Sequence, residues 1–376
     1  LGGHELPTSA DSLASGLFYL LSSFTILLVP TAMMGATLPL LARFAVRRTE
    51  EIGPRIGVLY TANTGGAAAG TLLAAYALLP RIGLGATILV AAGVNLLVFV
   101  LAVLLARGQS TLPIEITAEA KRSSGAPWIL PLILLSGAVS FTWEIVWTRF
   151  LSFLLGGSVY AFATMLATFL VGLAVGSAVA SRLATSRERA EAWFTAAQIG
   201  IAGLSLAAFA AVDHVPGLLE QMAGENGGLL AGVVVLCGAV LLPGAVAIGA
   251  TFPLAVRILA RDVDEAAAAA ARVFAWNTVG TIAGALAAGY LVLPALRFAG
   301  TAAAAAALSL VLALAAAVMA RPRRRALASA ALIACVVLAF VRPATPWRTL
   351  RHSQLSDTEF QGGTVFYGVG RSATVL

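Results

Sequence analysis

Gly35-Ala36-Thr37-Leu38-Pro39-Leu40 returns 214 residues later as Gly249-Ala250-Thr251-Phe252-Pro253-Leu254, with Arg43 returning as Arg257. Outward from this box, at the same offset, Asn63-Thr64, Gly66, Ala69-Gly70, Tyr76 and Leu79-Pro80 return as Asn277-Thr278, Gly280, Ala283-Gly284, Tyr290 and Leu293-Pro294. No gap breaks the register. Gly, Pro, Asn and Tyr each impose something particular on a backbone or a packing face. Their joint recurrence in one register marks a duplicated structural unit.

Composition says what the unit is made of. The 376 residues are 60% hydrophobic and 11% charged, with a mean hydropathy of +0.93. A hydrocarbon core about 30 Å thick needs ~20 apolar residues per helix. Ten apolar segments are read, at 15–43, 56–79, 84–106, 128–150, 152–181, 193–212, 228–256, 272–293, 300–320 and 326–341, the last with only 16 residues. Pro30 and Pro243 lie inside long segments and predict kinked or tilted helices. The expected class is an all-α polytopic membrane protein with the lipid bilayer as its solvent.

Charge placement predicts an orientation. The loops after segments one, three, five, seven and nine carry Arg43, Arg47, Arg48, Arg55, Arg107, Lys121, Arg122, Arg182, Arg187, Arg189, Arg257, Arg261, Arg272, Arg321 and Arg323 to Arg325. The opposite loops carry Arg81 and Arg297, with Arg149 near a helix end. The positive-inside rule puts the richer set in the cytoplasm, which suits a multi-pass protein of the cell (inner) membrane. The net charge of +7 comes from scattered loop anchors, so no nucleic-acid partner is expected. Arg321 to Arg325 form the one cluster, suited to acidic lipid beside a membrane helix.

The two copies begin six helices apart and so share one orientation, which is the relation between the halves of major facilitator proteins. The second copy has segments four to six ahead of it and the first has no such counterpart. Three helices ahead of Leu1 are therefore expected, for twelve plus one in all. The expected layout is residues 1–106 as the second half of the first repeat and 107–127 as a cytoplasmic central loop. Residues 128–320 form the complete second repeat, 321–341 a basic linker with a short extra membrane helix, and 342–376 the start of a soluble β-containing domain.

Gly137-Ala138-Val139-Ser140 followed by Trp143-Glu144-Ile145-Val146-Trp147-Thr148-Arg149 resembles the opening helix of the membrane-bound spermidine synthase-like proteins. Gly172-Leu173-Ala174-Val175-Gly176-Ser177, the Gly-Ala-Thr-Leu/Phe-Pro-Leu boxes and the Asn-Thr-x-Gly boxes fit the same family. Phe366-Tyr367 and Arg371-Ser372-Ala373-Thr374-Val375 look like the first strand of its soluble domain. The resemblance implies a facilitator-like membrane region fused to an aminopropyltransferase-like domain, with decarboxylated S-adenosylmethionine as co-substrate. That domain's donor loop and acidic residues would lie beyond Leu376, so within this chain no catalytic residue and no cofactor is expected. Enzyme activity is left undecided by these residues. No metal site is expected either, because His4, His214 and His352 are far apart and Cys237 and Cys335 fall in separate apolar helices.

The chemistry that remains lies inside the membrane. Glu144 is an ionisable group at helix depth, and Arg149, five residues on, lies about 140° around the helix and can snorkel to the interface. Glu144 reads either as a functional cation or proton site or as a structural hydrogen-bond anchor. Trp128 and Trp147 read as interfacial aromatics. Asn63 and Asn277 are symmetry mates beside small-residue faces, Gly66-x-x-x-Gly70 and Gly280-x-x-x-Gly284, and Gly172-x-x-x-Gly176 makes a third. Helix packing accounts for these, with cavity lining as the alternative for the Asn pair. Arg43 and Arg257 read as a cytoplasmic gate or a lipid anchor.

Three functions follow. The chain is the membrane region of a spermidine synthase-like protein, anchoring its enzyme domain or both anchoring and feeding it. Or it is a facilitator-like transporter of a small cation or polyamine. Or it is a non-catalytic scaffold for partner membrane subunits or a homo-oligomer. If segment ten spans, the tail is extracytoplasmic, away from the usual S-adenosylmethionine pool.

Overall fold

The computed structural model describes residues 13–107, 126–155, 158–215, 217, 229–320, 329–330, 332–334, 337, 343–351, 368–369 and 374–375. Long helices follow one another as α1 (Leu13–Ala45), α2 (Ile52–Leu73), α3 (Leu79–Arg107), α4 (Ile129–Leu155), α5 (Val159–Leu183), α6 (Arg187–Ala211), α7 (Leu229–Leu259), α8 (Val263–Ala287) and α9 (Leu293–Met319). A short α10 (Trp347–Arg351) follows, then β1 (Gly368–Val369) pairs antiparallel with β2 (Thr374–Val375), Gly368 opposite Val375.

Among the described residues, seven apolar helical runs are long enough to cross a bilayer. Two of them, Thr49–Arg107 with 59 residues and Val263–Met319 with 57, are far longer than the ~20 residues one crossing needs. Each is folded at one residue, Gly83 (φ 72, ψ 175) and Arg297 (φ 58, ψ −173). Each run therefore supplies two helices of crossing length. The architecture is that of an all-α, multi-pass membrane protein.

The duplication is physical as well as textual. A π turn at Ala74–Leu78 is matched by one at Ala288–Val292, and the fold at Gly83 by the fold at Arg297. All four keep the offset of 214. Pro80 and Pro294 explain the π turns. A proline ring clashes with the carbonyl four residues back, here Tyr76 and Tyr290, and widening the helix by one residue relieves the clash.

Caps reset several helix starts from where hydropathy alone places them, α6 and α8 earlier and α5 later. Ser186 Oγ accepts from the Arg189 N–H at 3.2 Å and starts α6 at Arg187. Asp262 Oδ1 accepts from the Glu265 N–H at 3.1 Å and starts α8 at Val263, nine residues before the apolar segment read at 272. Ser158 Oγ caps α5 through the Ala161 N–H. Arg187, Arg189 and Arg272 therefore lie within helices, and Arg43 and Arg257 in the last turns of α1 and α7, rather than in loops.

The two copies are packed unequally. Around the second, α7 lies against α5 and α6, α8 against α4, and α9 against α6 and α4. Of the first copy, α2 packs on α5 and α1 touches α8. Helix α3 buries no residue, whereas its counterpart α9 buries twelve. The tenth segment falls largely outside the described residues. The linker 108–125, Arg321 to Arg325, His4, His352, Cys335 and Phe366-Tyr367 lie outside them entirely.

Candidate functional site

Helix α4 carries most of the chemistry. Its buried face begins with a hydrogen bond to α6, where Gln198 Nε2 donates to Ser136 Oγ at 2.8 Å. One turn on, the Ser140 hydroxyl donates to the Ser136 carbonyl. An aromatic ladder then runs from Trp143 to Trp147 (6.2 Å between centroids), Trp147 to Phe209, Phe209 to Phe150, and Phe150 to Phe298 (5.2 Å). It ties α4 to α6 and α9. Trp147 is 4% exposed, so it belongs to this ladder and not to an interfacial belt. Trp128 stays half-buried at the start of α4.

Glu144 leaves the ladder side and borders a pocket among α4, α5 and α7, lined by Trp147, Thr148, Met165, Phe169 and Leu241. The pocket is small, about 20 Å³, which is room for a water molecule or two. No hydrogen bond or ion pair joins the Glu144 carboxylate to another described residue. Arg149 does not pair with it and stands within electrostatic reach of Tyr290 instead.

The other candidates do not converge on this pocket. Asn277 lies against Gly137 of α4, and its mate Asn63 is exposed on α2. Gly280 and Gly284 meet the α4 backbone at Leu134 and Ala138, and Gly172 and Gly176 meet α7 at Ala245 and Val246. Gly66 and Gly70 have no such neighbour. Arg257 is buried, donates to the Ala260 carbonyl at 3.4 Å, and lies within electrostatic reach of Glu50 and Arg187. Arg43 is exposed. The two arginines share a place in the repeat and differ in their surroundings.

Two contacts were not singled out from sequence. Gly53 and Gly57 bring α2 onto the α5 backbone at Ala184 and Ser181, and Ser177 Oγ donates to the Gly57 carbonyl at 3.0 Å. The spacing Gly53-x-x-x-Gly57 was the available signal. The second is a tether at the helix ends, where the Thr349 N–H donates to Asp213 Oδ1 at 3.0 Å and the Thr349 hydroxyl to the Val212 carbonyl at 2.9 Å.

Among the described residues no three His, Cys, Asp or Glu side chains gather as a metal site would need. No protein-family model matches the chain, and no curated protein or solved structure shows significant similarity to it.

Proposed function

We propose that the chain is the membrane region of a spermidine synthase-like protein, a facilitator-like pair of parallel repeats that anchors an aminopropyltransferase-like domain through its tail. The tether at Thr349 carries this reading. Two hydrogen bonds fix α10 to the end of α6, and β1 lies against α9. A tail mounted on two helices holds whatever is attached to it at a set height above the bilayer. The motifs Trp143 to Arg149 and Gly172 to Ser177 supply the family, and decarboxylated S-adenosylmethionine and a polyamine are the implied substrates.

Sidedness follows from charge. Arg47, Arg48, Arg55, Arg187, Arg189 and Arg261 gather at the helix ends opposite the tether. The positive-inside rule makes that end cytoplasmic and the tail extracytoplasmic.

Right-side-out and inverted vesicles carrying the full-length protein would each be given decarboxylated S-adenosylmethionine and a diamine. Aminopropylated product is expected from the right-side-out vesicles. Product from inverted vesicles alone would overturn the sidedness. No product from either, nor after solubilisation, would overturn the enzyme reading.

A second reading, transport of a proton or small cation, is favoured by one observation. Glu144 is an ionisable group with no hydrogen-bond or ion-pair partner among the described residues, beside a cavity and at a depth where such groups usually act. A cavity of about 20 Å³ suits a proton or a stripped cation and is too small for a polyamine.

A further inference from the structure

We infer that the pocket beside Glu144 binds a primary ammonium group, in the size class of ammonium and methylammonium. This deepens the transport reading: it rests on Glu144 being a cation site and names the cation.

Two polar groups converge in the pocket. Glu144 and Thr148 stand one turn apart on one face of α4, and both line it. The Thr142 and Thr164 hydroxyls donate to the carbonyl four residues back. Thr148 makes no such bond, and no hydrogen bond ties its hydroxyl to a described residue. The Glu144 carboxylate has no partner among the described residues either. A carboxylate and a hydroxyl left open to one small cavity await a donor from outside.

The rest of the wall selects among cations. Trp147, Phe162 and Phe169 supply aromatic rings, and Met165 a thioether. A metal cation asks for more oxygen than that: Ca²⁺ takes about six to eight oxygen ligands, Mg²⁺ a full octahedron, and K⁺ filters use rings of backbone carbonyls. Here the side chains offer one carboxylate and one hydroxyl. Helices α4 and α5 run unbroken past the pocket, so their carbonyls are held in helix hydrogen bonds. An ammonium group has other needs. Its N–H donors want a few well-placed acceptors, and its charge is drawn to aromatic faces, the more so where water is excluded. The pocket supplies both.

Size sets the limit. The cavity of about 20 Å³ holds a water or two, and an ammonium head has the bulk of a water. A quaternary ammonium, with its four methyl groups, does not fit. Phe162, 53% exposed, stands at the rim, where a methyl group on the ligand can lie. It belongs to the first turn of α5, at the end of the bundle that carries the tail.

Binding of radiolabelled methylammonium to the purified full-length protein in detergent tests the site. Saturable binding is expected, displaced by ammonium and by neither potassium nor tetramethylammonium at the same concentration. Glu144→Gln is expected to weaken binding roughly tenfold or more and Thr148→Val by less, because hydrogen bonds to a charged acceptor are the stronger ones. No saturable binding, displacement by potassium as readily as by ammonium, or wild-type affinity in Glu144→Gln would each overturn the site. The competition series uses the unaltered protein, so it decides the matter even where a variant fails to fold. Fluxes into proteoliposomes separate the site from the transport reading. Methylammonium bound but not taken up would support the site and remove transport. A proton flux lost in Glu144→Gln, with no methylammonium bound to the unaltered protein, would keep transport and overturn the site.

Discussion

Glu144 shows what a single side chain contributes when its neighbours are apolar. A buried structural carboxylate normally collects hydrogen bonds, because an unpaired one forfeits solvation that burial does not return. Glu144 collects none among the described residues and faces a cavity of about 20 Å³. Glu144→Gln keeps the shape and removes the charge, so the unfolding midpoint in detergent is expected to stay level or rise. A fall of several degrees would identify the carboxylate as a structural anchor and remove it as a transport site. Gln198 is the contrasting case: its amide spans from α6 to Ser136 on α4 and is completely buried. Ser136→Ala would leave that amide with no protein partner and is expected to cost about 1 kcal/mol, within the range measured for interhelical hydrogen bonds in membrane proteins. Reversible unfolding in mixed micelles reads that difference.

At the scale of the element, the junctions of α2 with α3 and of α8 with α9 repeat one another turn for turn while their hinge residues differ. Gly83 and Arg297 both take a backbone region that is almost exclusive to glycine, and a side chain held there is strained by about 1–3 kcal/mol. Gly83→Ala is expected to lower stability by that order, and Arg297→Gly to raise it less, since Arg297 also loses its own side-chain contacts. Opposite signs from one pair of midpoint measurements are the check. These junctions also show how far the sequence could be read. The repeat, nine of the ten apolar segments and the glycine spines Gly172-x-x-x-Gly176 and Gly280-x-x-x-Gly284 were legible, because small residues and apolar length are written one position at a time; the spine read at Gly66 and Gly70 meets no neighbour. The π turns were not, because Ala74 to Leu78 and Ala288 to Val292 are ordinary helix residues and the cause, a proline, stands just beyond them. Ser186 and Asp262 were readable as caps, and the apolar pattern masked them by starting later. The burial of Arg257 and the exposure of Arg43 could not be read from either residue, since each has the same local sequence and different neighbours.

At the scale of the whole molecule, the tether at Thr349 decides whether the bundle and its tail move as one body. Thr349 is fully buried, and its N–H has Asp213 Oδ1 as partner while its hydroxyl uses the Val212 carbonyl. Trp347 and Leu350 flank it, and Leu350 is buried as well. Asp213→Ala removes the acceptor and leaves a buried N–H unsatisfied, a loss of about 1–3 kcal/mol in the docking of α10. Because α10 is short and the nine long helices do not depend on it, that loss falls on local opening and not on global unfolding. Where opening and closing are fast relative to cleavage, proteolysis tracks the open population. Limited proteolysis within the tail is therefore expected to speed up roughly five- to 150-fold in Asp213→Ala, with the midpoint of the bundle unchanged. Asp213→Asn, which keeps an acceptor oxygen, is expected to restore most of the protection. If both variants were cut at the wild-type rate, α10 would not be held by this bond. A tail free to leave the end of α6 would then set neither the distance nor the side of an attached domain, and the anchoring role would lose its mechanical basis.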